Sequence, residues 1–330
     1  VDYGFAVSSA TTGLHLSLVA LGVGPGDEVV IPDFSFPATA NVVEQLGAVP
    51  IFVDIVPETY NLNPTHLDAA ITAKTKVIMP VHAFGLAADM KAIRAIATSW
   101  GIPILEDAAC ALGATVDGAH AGSLGNVGVF SFHPRKIITT GEGGMITTND
   151  HELAKRIGVL RSHGGIRGEL YMDFVEAGFN YRLSDVHAAI GLAQMSKIGK
   201  ITARRKILAQ QFCRLLGDID EVKVPEVPPG SDHAFQSFVV SLSPEVDRDQ
   251  VIREMKALGI EATLGTYALH LQPYFRAKYG LRDSQFPCAT FAHRHALTLP
   301  LYPQLRVRDL TRVANALRIS LNRSRLVRSI

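Results

Sequence analysis

The chain has 330 residues, 47% of them hydrophobic and 19% charged, with 32 basic against 31 acidic side chains and a net charge of +1. It is longer than the roughly 250–300 residues at which one hydrophobic core stops growing, so two domains are expected. The balanced charge removes the electrostatic case for nucleic acid or an anionic membrane as partner. Three widely spaced cysteines, Cys110, Cys213 and Cys288, form no Cys-x-x-Cys pattern. They argue against a disulfide framework or a metal site and for a reducing, cytoplasmic setting. No apolar run approaches the roughly 20 residues that span a bilayer.

In chain order, the first informative turn is Ser8-Ser9-Ala10-Thr11-Thr12-Gly13, between an apolar strand and the helical run Leu14–Leu21. A small-residue turn that opens a helix presents backbone N–H groups and suits a phosphate; an ordinary Ser/Thr N-cap has the same pattern. Turn residues at 22–27 then lead into Val29–Ile31, which with Pro50–Val53, Val77–Val81 and Ile102–Leu105 reads as a set of buried strands. Helical stretches at 37–47, 64–73 and 89–100 alternate with them, the signature of a mostly parallel sheet between helix layers.

Three runs sit where ligands of such sheets bind, beyond the carboxyl ends of strands. Phe34-Ser35-Phe36-Pro37-Ala38-Thr39 follows the strand Val29–Ile31, and Phe36 is either a core side chain or an aromatic that stacks on a planar ring. Glu106-Asp107 follows Ile102–Leu105; Asp107 there is either a helix cap or the partner of a protonated ring nitrogen. Ser131-Phe132-His133-Pro134-Arg135-Lys136 precedes a loop containing Gly141, Gly143 and Gly144. Lys136 is either an ordinary surface lysine on a loop or one whose pKa burial and a neighbouring cation would lower, with Arg135 either that cation or a solvent-facing charge. Glycines so dense imply close backbone approach or positive φ.

Farther on, Val127–Phe132 and Met145–Thr148 read as strands, 151–161 as a helix and 184–216 as one long helix bridging two domains. Prolines 225, 228 and 229 mark a loop before a smaller α+β domain with a strand Ala234–Leu242 and helices at 247–258 and 306–318. The expected division is a large domain, residues 1–200, and a small one, 201–330.

These runs, in this order, resemble the DegT/DnrJ/EryC1/StrS sugar aminotransferases, fold-type I pyridoxal-phosphate enzymes. The resemblance runs from about Ala6 to about Leu321 and is most specific at Ser131–Gly144, with support from Gly24–Val29, Val53-Asp54, Asn61-Leu62, Pro80–His82, Glu106–Ala109 and Gly178–Asp185. It implies an α/β large domain with a mostly parallel mixed sheet and a smaller α+β domain. It also implies that Lys136 holds pyridoxal phosphate as a Schiff base and shuttles the proton, and that Asp107 pairs with the pyridine nitrogen. Phe36 would stack on the ring, while Ala10, Thr11 and Ser131 would hold the phosphate. Asn180 would reach the cofactor of a neighbouring subunit, so the implied unit is a homodimer with shared sites.

The chain departs from the family's pattern at Ala10, where Gly is common, and at Cys110, where Gln or His often contacts the cofactor's phenolic oxygen and Cys is a weak donor. Family members also carry a further N-terminal segment before the equivalent of Val1, so a truncated sequence is expected. Lysine rather than histidine at 136 favours transamination over the family's dehydratase branch. The Lys-x-x-Thr-Thr-Gly-Glu-Gly-Gly form is closer to members that aminate C4 of the sugar. The expected reaction moves an amino group from L-glutamate to a nucleotide-linked keto sugar. The alternatives are a keto-inositol acceptor and a non-catalytic, cofactor-binding regulatory relative. Tyr267 and His270 are substrate-side residues by resemblance; His133 is either near the sugar or a structural histidine.

Overall fold

The computed structural model describes residues 1–326. Seven strands form the central sheet: β1 (Tyr3–Val7), β2 (Glu28–Pro32), β3 (Val49–Val53), β4 (Thr75–Ile78), β5 (Leu105–Asp107), β6 (Val127–Ser131) and β7 (Gly144–Thr148). Their order is β3-β2-β4-β5-β6-β7-β1, with β4 and β5 joined by the parallel bridges Ile78–Ile104 and Val81–Asp107. All run parallel except β7, which is antiparallel to both β6 and β1. Strands β2, β5, β6 and β7 are buried nearly throughout, because helices cover both faces, while β1, β3 and β4 are partly exposed. Glu106 and Asp107 are therefore anomalies: two carboxylates in a strand whose three residues are all buried.

The helices α1 (Ala10–Ala20), α2 (Ala38–Gln45), α3 (Met90–Trp100) and α4 (His151–Leu160) follow strands in the chain. Local chemistry sets their ends. Ser9 and Thr12 form a capping box at α1, Asp150 caps α4, and α3 stops at Gly101 in the left-handed region, φ 66°. The strand expected at Ile102–Leu105 instead occupies 105–107, since Pro103 has no N–H to give the ladder. The stretch 64–73 is a 3₁₀ turn, Pro64–His66, and a four-residue helix, Leu67–Ala70, rather than one helix. The long helix expected over 184–216 is two, α5 (Asp185–Met195) and α6 (Ile198–Leu216). The Ser196 hydroxyl donates to the Ala193 carbonyl (3.0 Å) at the break.

Beyond α6 a second core forms around Phe212, Phe238, Val251, Leu297 and Leu317. It is built by α6, α7 (Arg248–Ala257) and a long C-terminal helix, Val307–Leu326, on an antiparallel sheet of Val222–Lys223, Phe238–Leu242, Ala296–Leu299 and Thr263–Leu264 in that order. Only Phe238–Leu242 of the strand expected at 234–242 is extended. Residues 234–237 instead lie on the large sheet's loops: Ala234 N–H donates to Gly85 O (2.8 Å) and Ser237 N–H to Phe84 O (3.2 Å). Buried Arg205 of α6 pins the same segment by donating to the carbonyls of Phe235, Gln236 and Leu301. Burial pushes its pKa down to about 10.

Residues 267–295 return to the first core. Tyr267–Ala268 pair with Phe34–Ser35, Leu269 and Phe275 enter the large hydrophobic cluster, and Asp54 accepts from the N–H groups of Cys288 (2.9 Å) and Ala289 (2.8 Å) at the start of the helix Pro287–His295. Asp54 is thus a cap donated by a distant strand end. Asp54→Ala leaves those amides unpaired and should cost about 1–2 kcal/mol of stability, read as a lower thermal midpoint with the cofactor-site spectrum unchanged.

Candidate active site

The sheet order converges the expected residues. Because β7 lies between β1 and β6, the N-terminus of α1, which follows β1, comes beside Ser131 at the end of β6. Gly144 pairs with Val7 on one side and Ser131 on the other. A Cβ on Gly144 would fall 2.8 Å from the Ala10 nitrogen and from the Phe130 carbonyl oxygen, so this approach requires glycine. Ala10 and Thr11 are the first two residues of α1, and their N–H groups have no partner within the helix. Ser131 is buried with its hydroxyl turned to His133 N–H at 3.4 Å. Ala10, Thr11 and Ser131 thus come together at the positive N-terminal end of α1, the physical setting for a phosphate.

One strand inward, Glu106 and Asp107 project to opposite sides of the sheet. Glu106 is saturated: it accepts from the N–H groups of Gly122 (2.7 Å), Leu124 (2.7 Å) and Gly125 (2.6 Å) and from His82 Nε2 (2.8 Å). His82 Nδ1 in turn accepts from Ala88 N–H at 3.1 Å, which assigns the ring's proton to Nε2. Among the described residues, Asp107 accepts only from the Thr39 hydroxyl (2.9 Å, Oδ2) and Ala109 N–H (3.2 Å, Oδ1). Burial raises its pKa above the usual carboxylate range, opposed by Thr39, Ala109, Lys136 and His82.

Lys136 lies across from it, on the loop after β6. Its Nζ donates to Cys110 Sγ at 2.9 Å. Burial works to lower its pKa, but Cys110 and then Asp107 outweigh that and hold the ammonium above the ordinary lysine range. The lowered pKa expected from a neighbouring cation is therefore corrected: Arg135 is exposed, and the groups that act on Lys136 are anionic or polarisable. Cys110 meets the lysine itself.

Phe36 is 65% exposed, and the core position belongs to Phe34. Phe36 lies three residues before Thr39, whose N–H donates to its carbonyl and whose hydroxyl donates to Asp107. Asn180 is exposed, its backbone bridged to Ser162. His133 is partly exposed and lies 3.8 Å from Glu142. Tyr267 is partly exposed beside Ser35. His270 is different: it is 0% exposed, its Nδ1 2.5 Å from Asp33 Oδ2 and its Nε2 3.1 Å from the Thr290 hydroxyl. The expectation that His270 faces substrate is corrected, because both ring nitrogens are committed inside the protein. Thr39, Ser35 and His82, which the sequence pattern does not single out, lie in the same hydrogen-bonded constellation. A threonine among Ala40, Val42 and Val43 on the buried face of α2 was the available signal for the first.

The fold thus brings a partly buried lysine, a buried carboxylate and the N-terminal end of α1 into one region of the large domain, and the chain as a whole is similar to proteins of known class. The family model for DegT/DnrJ/EryC1/StrS aminotransferases matches residues 1–318. The chain belongs to the DegT/DnrJ/EryC1/StrS aminotransferase family. It is 41% identical over 320 residues to GDP-perosamine synthase of Caulobacter vibrioides, covering 96% of this chain and 85% of that one. An aminotransferase of this family from Brucella abortus superposes with a TM-score of 0.90 at 34% identity, covering 97% of this chain and 86% of the other. The pyridoxal-phosphate form of the putative sugar aminotransferase Spr1654 from Streptococcus pneumoniae superposes with a TM-score of 0.92 at 26% identity, over 98% and 88%. The family is pyridoxal-phosphate dependent, and this chain is a transaminase of the fold-type I class with a mixed α/β architecture.

The residues fit that cofactor on three observations: a helix end where only glycine is tolerated alongside, an exposed aromatic, and a desolvated carboxylate with few donors. A ring N–H would supply Asp107 with the partner its burial calls for. In the cofactor-free protein the raised pKa of Asp107 means that its contribution to stability is present below the unfolded value, near 4, and is lost as pH rises through the folded value. Asp107→Asn without cofactor should therefore be at least as stable as the parent at pH 7. That advantage should shrink as pH falls toward 4, read from thermal midpoints across pH.

Proposed function

We propose that this transaminase moves an amino group from L-glutamate to a nucleotide-linked keto sugar, a 4-keto-6-deoxy hexose being the form favoured by the Lys136–Gly144 run. The observation that carries the acceptor class is the 41% identity, across 96% of the chain, to a relative whose name includes a GDP-linked sugar. The chemistry itself rests on Lys136 and Asp107. When bound, pyridoxal phosphate supplies an electron-withdrawing ring that accepts the charge left on a substrate carbon as its proton departs.

The chain's own residues do the rest. The Ala10 and Thr11 amides and Ser131 hold the phosphate, Phe36 covers the ring, and Asp107 keeps the ring nitrogen protonated. Lys136 Nζ takes the proton from the donor's α-carbon and, in the second half-reaction, returns one to the acceptor's side. For that it must be unprotonated at its turn. Pairing Asp107 with a ring N–H takes up one of the groups that hold Nζ as an ammonium. Two half-reactions on one lysine imply ping-pong kinetics.

The active unit in this reading is a homodimer in the cytoplasm, with Asn180 reaching the partner's cofactor. Support comes from α5, which has no buried residue yet carries Val186, Ile190, Leu192 and Met195, and from the hairpin Gly165–Phe174 with exposed Leu170, Tyr171, Met172 and Phe174. Exposed apolar side chains of this kind are what a partner surface would cover, and the two segments bracket Asn180 in sequence. Among the described residues no helix is long and apolar enough to cross a membrane. The division into 1–200 and 201–330 belongs to the same reading; the junction falls just inside α6.

A panel of GDP-, dTDP- and UDP-linked keto sugars against scyllo-inosose, with 2-oxoglutarate release as readout, tests the acceptor. At least one nucleotide sugar should exceed the inosose by about tenfold or more in kcat/KM, a gap of ~1.4 kcal/mol; the reverse order contradicts the proposal. Lys136→Ala should lower turnover by about 10²–10⁴-fold, the usual scale of a lost acid–base group.

A further inference from the structure

Ser35 and Thr39 are buried hydroxyls that the mechanism above does not use. Ser35 Oγ lies 2.8 Å from Thr39 Oγ1, and Thr39 Oγ1 lies 2.9 Å from Asp107 Oδ2. Both residues are almost fully excluded from solvent, Ser35 at 2% and Thr39 at 0% exposure. A hydroxyl has one proton to give. When Asp107 is ionised it can only accept, so the Thr39 proton must point at it. Thr39 must then receive its own hydrogen bond from Ser35. The chain of donors is one-way, Ser35 to Thr39 to Asp107, and ionisation of Asp107 fixes it in this sense, whereas a protonated Asp107 does not.

The anchoring is rigid at each member. Ser35 lies in a two-residue strand paired with Tyr267–Ala268. Thr39 sits in the first turn of α2, and its N–H donates to the Phe36 carbonyl at 3.1 Å. One turn of chain therefore carries both the exposed aromatic and the hydroxyl on the carboxylate.

We propose that Ser35 and Thr39 are positioning residues for transamination: a directed hydrogen-bond relay that keeps Asp107 ionised and oriented towards the ring nitrogen of the cofactor. This rests on the assignment of Asp107 as that nitrogen's partner. The other groups that act on Asp107 are Lys136 from the loop after β6, His82 from the loop after β4, and the Ala109 N–H. None is removed by changing Thr39. Because the Thr39 bond favours the ionised form, deleting it raises the pKa of a carboxylate already raised by burial. The acid limb of any process that needs ionised Asp107 then moves to higher pH.

The test uses the full-length holoenzyme and three variants: Thr39→Val, which keeps shape and loses the hydroxyl; Thr39→Ser, which keeps the hydroxyl; and Ser35→Ala. Thr39→Val should slow the glutamate half-reaction by about 10–100-fold, the scale of one lost hydrogen bond to a charge, and shift its acid limb up. Borohydride should still attach cofactor to Lys136 in this variant. Thr39→Ser should stay within about threefold of the parent, and Ser35→Ala should shift the limb the same way by less. An unshifted pH profile in Thr39→Val, or a Thr39→Ser as impaired as Thr39→Val, overturns the relay and leaves a packing role. Should Thr39→Val fail to fold, the Ser35→Ala profile decides in its place, an unshifted limb overturning the relay.

A cofactor-free arm separates this inference from the functional reading. In apoprotein, Thr39→Val should carry the pH-dependent loss of thermal stability to higher pH, and the shift should vanish in an Asp107→Asn background. A shift that persists there contradicts the relay whether or not the chain transaminates. Conversely, a parent protein that never labels at Lys136, yet shows the Asp107-dependent shift, refutes the functional reading and leaves the relay standing.

Discussion

The site depends on a buried carboxylate given too few donors. Glu106 and Asp107 are consecutive in one strand, equally hidden from water, and treated oppositely by the fold. Glu106 receives three backbone N–H groups and a histidine, so it is fully compensated and holds the 120s loop against the sheet. Asp107 receives one hydroxyl and one long amide bond, and its burial is answered in full only by a cation or a protonated ring. That imbalance costs stability in the empty protein; under the proposed function it becomes binding free energy and electronic control when the ring is bound. It is the stability–function trade expected of a working site.

The sheet's single antiparallel strand is the second constraint. By inserting β7 between β6 and β1, the chain brings the helix end after β1, the serine ending β6 and a glycine of β7 to one rim. The strand order also puts Asp107 one strand away. The residues proposed to hold the phosphate, to pair with the ring nitrogen and to carry the amine thus come from segments far apart in sequence but fixed in relation by the ladder register. The 267–295 return segment adds a clamp from outside: Asp33 with His270, and Asp54 with the helix at 287, tie this segment to the strand ends carrying Phe34–Thr39.

Much of this was legible in the residues. The strand-end placement of Asp107, the glycines around Lys136 and the small-residue turn before α1 each carry a local physical reason, and the alternating strand–helix pattern indicates the layered sheet. Elsewhere local patterns misled because tertiary partners decide. The apolar run over 184–216 reads as one helix until Ser196 caps the first half. Pro103 displaces the start of β5. His270 sits in a run similar to substrate-side segments, but Asp33, 237 residues away, claims its ring. The sign of the Lys136 shift was hidden for the same reason: nothing local shows that Cys110 and Asp107 face its amine. The contacts of Ser35 and Thr39 with Asp107 are hardly legible either, because serine and threonine at a helix start ordinarily serve as caps, and only the place of Thr39 on the buried face of α2 hints at them.

The most direct test of the account is to treat the pyridoxal-phosphate-loaded protein with borohydride, digest it and map the modified peptide. The account predicts loss of visible absorbance and a single pyridoxyl-bearing peptide modified at Lys136. A cofactor fixed to any other lysine, or a protein that binds pyridoxal phosphate and cannot be labelled, would contradict it.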